Sequence, residues 1–275
     1  MASVKAIYEK PLKGLDTLGE ELSFYLGVLR ATPRSVRHYP REILRLLAEI
    51  TLGTGALAVI GGTVGVILGM TFFTGAQVGL SGYAALDQLG TASFAGFVSA
   101  YFNTREIAPI VSGIALAATV GCGFTAQLGA MRISEEVDAL EVMAIPSMPF
   151  LVATRVVGGL IAIIPLYVVA LLSSYLASRL VVLTFFGQSA GTYDHYFWTF
   201  LPPGDVLWSF GKVLVFAVAV ILIHCYHGYT ASGGPAGVGV AVGRAVRTSI
   251  VVVNVIDLLL SMAIWGTTTT VRLAG

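Results

Sequence analysis

Four carboxylates stand within seven residues of one another, in a chain that is only 11% charged. They are Glu135, Glu136, Asp138 and Glu141. Uncharged runs flank them at 107–131 and 156–178. A dense acidic patch can bind a basic surface, but no nucleophile and base stand out together in the sequence. We therefore predict no catalytic residue and expect the acidic stretch to be a contact surface.

The spacing of this stretch predicts a short amphipathic helix at about 133–146. Ser134 is a favourable N-cap, and the helix dipole favours acids such as Glu135 in the first turn. Pro146 disfavours helical backbone at the residue before it and should end the helix. At about 100° per residue, the helix has an acidic arc beside an apolar arc. The acidic arc holds Glu135, Asp138 and Glu141, and the apolar arc holds Val137, Leu140, Met143 and Ala144.

One further carboxylate, Asp257, lies in the middle of an apolar segment, three residues after Asn254. A carboxylate inside a membrane is costly and normally faces a cavity or a partner group. Two hypotheses follow for this possible intramembrane polar site. Asp257 either lines a wet translocation path or relays protons, or it is a buried polar tie to a neighbouring helix.

Other motifs lack the spacing that their chemistry needs. Gly211–Lys212 has no glycine five residues earlier and is followed by Val213, so the chain has no P-loop for ATP. His224 and His227 have only Cys225 as a further ligand nearby, which favours hydrogen bonding at a helix end over a metal site. No bound metal or cofactor is predicted for this chain.

The elements that must position these residues are membrane helices. The chain has 275 residues, of which 56% are hydrophobic, and a mean hydropathy of +0.85. Several uncharged runs exceed the roughly 20 residues that a helix needs to cross a bilayer. We therefore expect an all-α integral membrane protein. The net charge of +1 gives no sign of nucleic-acid binding, and two cysteines in apolar segments imply no disulfide framework.

Five spans are predicted, at about 51–76, 107–131, 150–178, 208–230 and 248–270, so that residues 50–275 form one five-span domain. Twelve of the sixteen Lys and Arg residues then lie on the side of the N-terminus, and four lie on the other side. By the positive-inside rule, the N-terminus and the acidic helix are cytoplasmic and the C-terminus is extracytoplasmic. A sixth span at 88–104 would spoil this asymmetry, so we predict an outer-leaflet or re-entrant helix there.

Residues 1–49 are predicted to lie on the membrane surface as two amphipathic helices. The second helix carries apolar residues opposite Arg41 and Arg45, and Pro33 and Pro40 should break the helical pattern. Neither helix is long enough or apolar enough to cross a bilayer. An interfacial position is favoured over a soluble helical hairpin because a span follows without a linker.

Two further patterns allow two interpretations each. Gly61, Gly65 and Gly69 form a stripe that lets another helix approach closely, and that helix belongs either to this chain or to a dimer partner. The aromatic segment 192–208 is typical of a belt at the membrane interface, but it also suits a docking surface for an extracytoplasmic partner.

The sequence around the acidic helix resembles the MlaE/YrbE permease family, the membrane subunits of ABC-type lipid transporters that work with MCE proteins. Gly129–Ile145 (GAMRISEEVDALEVMAI), followed by Pro146 and Thr154–Arg155, carries the resemblance. The amphipathic N-terminus and Arg105–Glu106 before Pro109 extend it over most of the chain. Three details resemble the B-type YrbE permease of actinobacterial (mycobacterial) Mce systems: HYF at 195–197, HCYHGY at 224–229 and the Gly-rich GGPAGVGVAVGR at 233–244.

The resemblance implies a function and a set of partners. Such a permease lies in the bacterial plasma membrane and pairs with a second permease, here an A-type YrbE chain. Two Mce-associated cytoplasmic ATPases bind ATP and Mg²⁺, so this chain itself binds no cofactor. MCE-domain proteins on the outer side exchange the lipid substrate with the permease. The EExDALE pattern assigns coupling to the ATPase to Glu135, Glu136, Asp138, Leu140 and Glu141.

Two other transporter classes remain as alternatives. A proton-coupled secondary transporter would use Asp257 as its proton site and would work without an ATPase. A small-solute ABC importer permease also has a cytoplasmic acidic loop that ends near Ile-Pro. It would need neither an interfacial N-terminus nor an MCE partner.

Overall fold

The computed structural model describes residues 2–52 and 62–266, and no strand occurs in them. Within these residues there are nine helical segments: α1 Ala2–His38, α2 Pro40–Leu52, α3 Thr63–Gln88, α4 Ala92–Ile133, α5 Glu136–Val142, α6 Met148–Phe185, α7 Ala190–Thr199, α8 Pro203–Tyr229 and α9 Gly234–Trp265. Five of them, α3, α4, α6, α8 and α9, are long and apolar enough to cross a membrane. The prediction of an all-α integral membrane protein is confirmed.

Three of the five spans form the core of the bundle. In α4, α6 and α8, half or more of the most apolar stretch is buried within the chain, whereas in α3 and α9 about a fifth is buried. Leu116 of α4, Ile163 of α6 and Phe216 of α8 meet in one buried cluster. The outer spans α3 and α9 therefore present most of their surface to lipid or to another subunit.

Small residues let α3 lie close along α6. A Cβ atom on Gly75 would stand 2.5 Å from the carbonyl oxygen of Ser174, and one on Gly79 would stand 2.9 Å from that of Ser178. The Ser178 hydroxyl donates a hydrogen bond to the Gly75 carbonyl over 2.5 Å. Any side chain at these two glycines would force the helices apart.

Of the predicted glycine stripe Gly61, Gly65 and Gly69, the structure gives the surroundings of Gly69. Gly61 lies outside the described residues, and a Cβ atom on Gly69 would meet no atom within 4 Å. Gly69 therefore seats no helix from residues 2–52 or 62–266, and packing against a partner subunit stays a prediction for that position. The first span also ends later than predicted. It reaches Gln88 instead of about residue 76, and α3 packs against α6.

α4 is a continuous helical run of 42 residues. Two π-helical stretches, Asn103–Ile107 and Ala117–Gly121, interrupt its α-helix. The re-entrant alternative for 88–104 is therefore wrong, because residues 92–104 continue into the span without a turn, and an outer-leaflet position for them stays a prediction. The charges at Arg105 and Glu106 suggested a boundary, but both side chains have partners inside the protein.

Tertiary contacts also outweigh the tendency of Pro33 to break the N-terminal helix. α1 passes through Pro33 as one helix, and the break falls just before Pro40. Val28 is fully buried, and the Ser35 hydroxyl donates to the carbonyl of Pro149 at the start of α6 over 2.5 Å. The predicted break at Pro33 is wrong because this packing holds α1 straight through it.

Residues 234–244 of the Gly-rich segment form the beginning of α9. Gly233 (φ 87°) precedes α9, and a Cβ atom on Gly237 would stand 1.8 Å from the carbonyl oxygen of Ser232. The chain therefore reverses tightly between α8 and α9, and α9 begins well before the predicted span at 248–270.

Candidate functional site

The acidic stretch forms α5, a helix of seven residues between the ends of α4 and α6. Ser134 is not its N-cap: the Ser134 hydroxyl donates to the carbonyl of Ala130 (3.0 Å) and to Glu136 Oε1 (2.9 Å). Glu135 is the cap residue, and its left-handed backbone (φ 61°) makes the turn between the helices. The N-cap prediction fails because α4 runs on to Ile133, so that Ser134 bonds back to α4.

α5 ends four residues before Pro146, in a Schellman motif. The Ala144 N–H donates to the Glu141 carbonyl (3.0 Å), and the Ile145 N–H donates to the Leu140 carbonyl (2.9 Å). Ala144 has a φ of 59°, a conformation that glycine usually supplies at this position. The predicted end at Pro146 is therefore wrong, because the turn at Ala144 caps the helix first.

The apolar arc of α5 divides between core and surface. Val137 is buried, and Leu140 is half-buried against the core of the chain. Val142 and Met143 are 88% and 62% exposed. Val142 and Met143 therefore form the exposed apolar surface at the end of α5. Leu140 instead packs α5 against the core of its own chain.

The acidic side chains of α5 are exposed, and two of them tie the helix to its neighbours. Arg132 at the end of α4 forms an ion pair with Asp138 over 2.6 Å. The buried Ser147 donates to Glu141 Oε1 (2.7 Å), and its hydroxyl lies 2.8 Å from that of Tyr229 on α8. Among these four acids, Asp138 is the one in an ion pair; Glu141 accepts the hydrogen bond from Ser147, and Glu135 and Glu136 carry neither of these two ties.

A cleft of 710 Å³ opens beside α5. Arg34 and His38 at the end of α1 line one side, and Glu141 and the residues that follow it line the other. The end of the N-terminal helix therefore lies next to the acidic helix, on the same side of the bundle.

A second polar site lies inside the bundle, around Lys212. This side chain is 0% exposed, and its ammonium stands 2.7 Å from Asp257 Oδ1. It also donates to Ser261 Oγ (2.8 Å) and to the carbonyl of Arg105 (2.7 Å). The Arg105 carbonyl needs this donor because the residue four positions on is Pro109, which has no N–H.

Further charges surround this lysine. Arg105 pairs with Asp205 over 2.6 Å, and Trp265 Nε1 donates to the same carboxylate over 3.0 Å. Glu106 accepts a hydrogen bond from Ser261 (2.8 Å) and lies 3.5 Å from the ammonium. Two cations thus face three carboxylates, and we call these groups the Lys212 network. It ties α4, α8 and α9 together.

Asn254 does not belong to the Lys212 network. It is exposed, and its amide donates to the carbonyl of Ile250 in its own helix over 2.7 Å. The polar site predicted from Asn254 and Asp257 is therefore two separate positions. Sequence reasoning missed Lys212, although a lysine inside the fourth predicted span was the signal for it, because a buried carboxylate needs a cation.

The remaining polar positions have local partners. His224 is buried with Nδ1 2.8 Å from Thr125 Oγ1, and no group of three metal-ligating side chains occurs in the searched, described residues. The aromatic segment contributes α7, in which Tyr193 is buried. Arg179 holds α7 through two hydrogen bonds to Asp194 (2.8 and 2.9 Å), which lower the pKa of that carboxyl.

Comparison with known proteins places this arrangement among transporter subunits. Residues 53–263 match the family model described as permease MlaE. A probable ABC transporter permease protein of Rickettsia bellii (strain RML369-C) is 27% identical over 256 residues, which cover 93% of this chain and 95% of the relative. The intermembrane phospholipid transport system permease protein MlaE of Haemophilus influenzae is 26% identical over 268 residues, or 96% and 97% of the two chains. Protein TRIGALACTOSYLDIACYLGLYCEROL 1, chloroplastic, of Arabidopsis thaliana is 29% identical over 199 residues, or 72% and 57%.

Proposed function

The chain belongs to the MlaE permease family, and from this premise we propose that it is the membrane-spanning permease subunit of an ABC-type lipid transporter. The name of the Haemophilus influenzae relative, which refers to intermembrane phospholipid transport, supports lipid as the substrate class. The observation that carries the proposal is the exposed acidic helix α5, held between two core spans.

In this proposal α5 couples the spans to a separate cytoplasmic ATPase. Glu135, Glu136, Asp138 and Glu141 face a basic groove of the ATPase, and Val142 adds an apolar contact. Leu140 contributes by seating α5 on its own chain. ATP and Mg²⁺ bind to the ATPase, and this chain holds neither.

Short connections make α5 suitable for transmitting movement. Two residues separate α4 from α5, and five separate α5 from α6. The ties from Asp138 to Arg132 and from Glu141 through Ser147 to Tyr229 stiffen this joint. When ATP closes the ATPase dimer, α5 moves with it, and α4 and α6 tilt as rigid bodies.

The other partners follow from the surfaces that the chain leaves open. We propose that α3 and α9, the least buried spans, face a second permease of A-type YrbE character and the surrounding lipid. Extracytoplasmic MCE-domain proteins exchange lipid with this pair. The transporter lies in the bacterial plasma membrane, with the N-terminus cytoplasmic and the C-terminus extracytoplasmic.

The N-terminal region is proposed to lie in the interface of the inner leaflet. α1 buries one face on the bundle and exposes apolar residues on another, with Leu22 59%, Leu26 53% and Leu29 44% exposed. A helix with this distribution gains free energy when its apolar stripe enters the acyl region.

The Lys212 network bears on the proton-coupled alternative. Asp257 is paired with a fully buried lysine, which favours a structural tie between α8 and α9 over a wet proton site. We therefore keep the ABC-type permease as the proposed function.

Charge reversal on α5 tests the proposal. Glu135→Lys with Glu136→Lys changes two acids that do not tie α5 to α4 or α8, and it leaves the Arg132–Asp138 pair and the Ser147–Glu141 hydrogen bond in place. Like charges brought together at an interface cost several kcal/mol, so ATPase recovered per purified permease should fall about tenfold or more. Val142→Asp should weaken the same contact.

The matched control is Asp87→Lys, an exposed acid near the opposite end of the bundle. It should leave ATPase recovery and lipid transport unchanged. If the double reversal on α5 recovers as much ATPase as the unmodified permease, α5 is a solvated turn and the proposed coupling is wrong.

A further inference from the structure

An apolar groove of 440 Å³ runs between α8 and α9 and ends against α1. Val215 and Ala219 of α8 and Val252 of α9 form its walls. All three lie within helices that can span a membrane, so the groove opens towards acyl chains. Its volume falls within the range of about 300–1,000 Å³ that small-molecule sites occupy.

The end of the groove at α1 is polar. Glu21 and Tyr25 stand four residues apart, on one face of that helix, and both line the groove. Burial raises the pKa of the Glu21 carboxyl and that of the Tyr25 phenol. The phenol therefore remains a hydrogen-bond donor. Among the described residues, neither side chain has a hydrogen-bond partner.

The depth of this polar end is marked by its neighbours on α1. Leu22 and Leu26 follow Glu21 and Tyr25 directly in sequence, and both are more than half exposed. Exposed leucines on a helix that packs beside membrane spans belong at the level of the upper acyl chains. Glu21 and Tyr25 therefore stand at the height where a lipid head group meets its acyl chains.

We propose that this groove binds one phospholipid of the leaflet in which α1 lies, with an acyl chain between α8 and α9 and a zwitterionic, amine-bearing head group at Glu21 and Tyr25. The carboxylate attracts the ammonium, and the phenol donates to a phosphate oxygen. An anionic head group without an amine meets Glu21 and the neighbouring Glu20 and is repelled.

This site goes beyond the coupling to an ATPase, and of the proposed function it rests only on the position of α1 in the membrane interface. It needs neither ATP hydrolysis nor transport. Its experiment therefore contains no ATPase, and its failure would leave the coupling through α5 untouched.

The test uses the purified full-length permease in lipid nanodiscs. One sample carries phosphatidylethanolamine with a photoactivatable group in its acyl chain, and the other carries phosphatidylglycerol with the same group. After illumination, mass spectrometry of peptides measures crosslinks to 215–223 and 248–252. The phosphatidylethanolamine probe should label these segments about tenfold more than the phosphatidylglycerol probe.

Two variants fill the groove at different heights, Ala219→Phe and Val215→Trp. Each should lower labelling of the groove about tenfold, and the second keeps the test decisive if the first does not fold. Leu172→Phe is the control, because Leu172 is 61% exposed on another span. Glu21→Gln should remove the preference between the two probes while labelling persists.

Two outcomes would overturn the proposal. One is labelling of the groove that stays at the unmodified level in both filled variants. The other is equal labelling by the two probes in the unmodified protein, which would indicate ordinary annular lipid without recognition of the head group.

Discussion

Lys212 of α8 links three helices, because its ammonium binds polar groups of both α4 and α9. Its ammonium has three donors, and they meet a carboxylate and a hydroxyl of α9 and the carbonyl of Arg105 in α4, to which Pro109 offers no N–H. A cation buried in a membrane bundle is stable only with such partners. The lysine is therefore a structural requirement of the helix that carries Asp257.

Removal of this lysine should destabilise the permease. Lys212→Met leaves Asp257 buried without its cation, and breaking a buried pair on one side costs about 3–5 kcal/mol. Thermal unfolding of the purified permease in detergent measures the loss. Lys212→Met combined with Asp257→Leu should recover part of it, since both charges are then absent.

The control for this prediction is Asn254→Leu on the same helix. Its amide bonds to its own backbone, and the variant should unfold near the temperature of the unmodified protein. An equally stable Lys212→Met variant would show that the Lys212 network does not hold α9 in place.

Ala144 carries local backbone strain at the end of α5. A residue other than glycine with left-handed backbone costs about 1 kcal/mol. Ala144→Gly should therefore strengthen the Schellman turn, and the amide of Ile145, which donates to the Leu140 carbonyl, should exchange its hydrogen about fivefold more slowly.

Ala139→Gly, in the middle of the same helix, is the control for which the opposite change in exchange rate is expected. Glycine there costs about 1 kcal/mol, so exchange should become faster. If Ala144→Gly also speeds exchange at Ile145, relief of strain does not govern this turn.

At the scale of elements, the contact between α3 and α6 depends on two glycines at a spacing of four. Gly75→Ala places a methyl group against the backbone of Ser174, and neither helix can relieve the clash without moving. Overpacking of this kind costs about 1–3 kcal/mol. The midpoint of thermal unfolding should fall accordingly.

Gly69→Ala is the matched variant on the same helix, because its Cβ atom would meet no atom of the described residues within 4 Å. It should not lower the stability of the isolated permease. It should weaken association with a second permease if that subunit packs on this face. Equal losses of stability in both variants would contradict the assignment of Gly75 to the close contact.

At the scale of the whole molecule, each helix that crosses the membrane puts the connections before and after it on opposite sides. Ser134 lies between the second and third candidate spans, and Thr199 lies between the third and fourth; both are exposed. With Cys122 and Cys225 replaced by alanine, single cysteines at these two positions should react from opposite sides in spheroplasts, with Thr199→Cys labelled from outside.

A membrane-impermeant maleimide makes the measurement, and labelling after lysis shows that each cysteine can react. If intact spheroplasts label both positions, the five helices do not alternate across the membrane as proposed. If Ser134→Cys alone is labelled, the orientation is the reverse of the one that the charge asymmetry predicts.

The sequence by itself determined the class of the protein. Long uncharged runs predict membrane helices because burial of charge in lipid is costly, and this depends on composition alone. The density of acids at 135–141 singled out the stretch that forms α5. Each of these conclusions uses residues close together in the chain.

Only the tertiary structure decided where the elements end and which side chains meet. Ser134 does not cap α5 because α4 continues to Ile133 and the Ser134 hydroxyl bonds back to it. Pro33 does not break α1 because Ser35 and Val28 pack that helix against the bundle. Asp257 meets Lys212, 45 residues away in the sequence, only because α8 and α9 pack side by side. Local helix propensities are worth about 1 kcal/mol or less per residue, and about 3 kcal/mol for proline, and the packing of long apolar helices outweighs them.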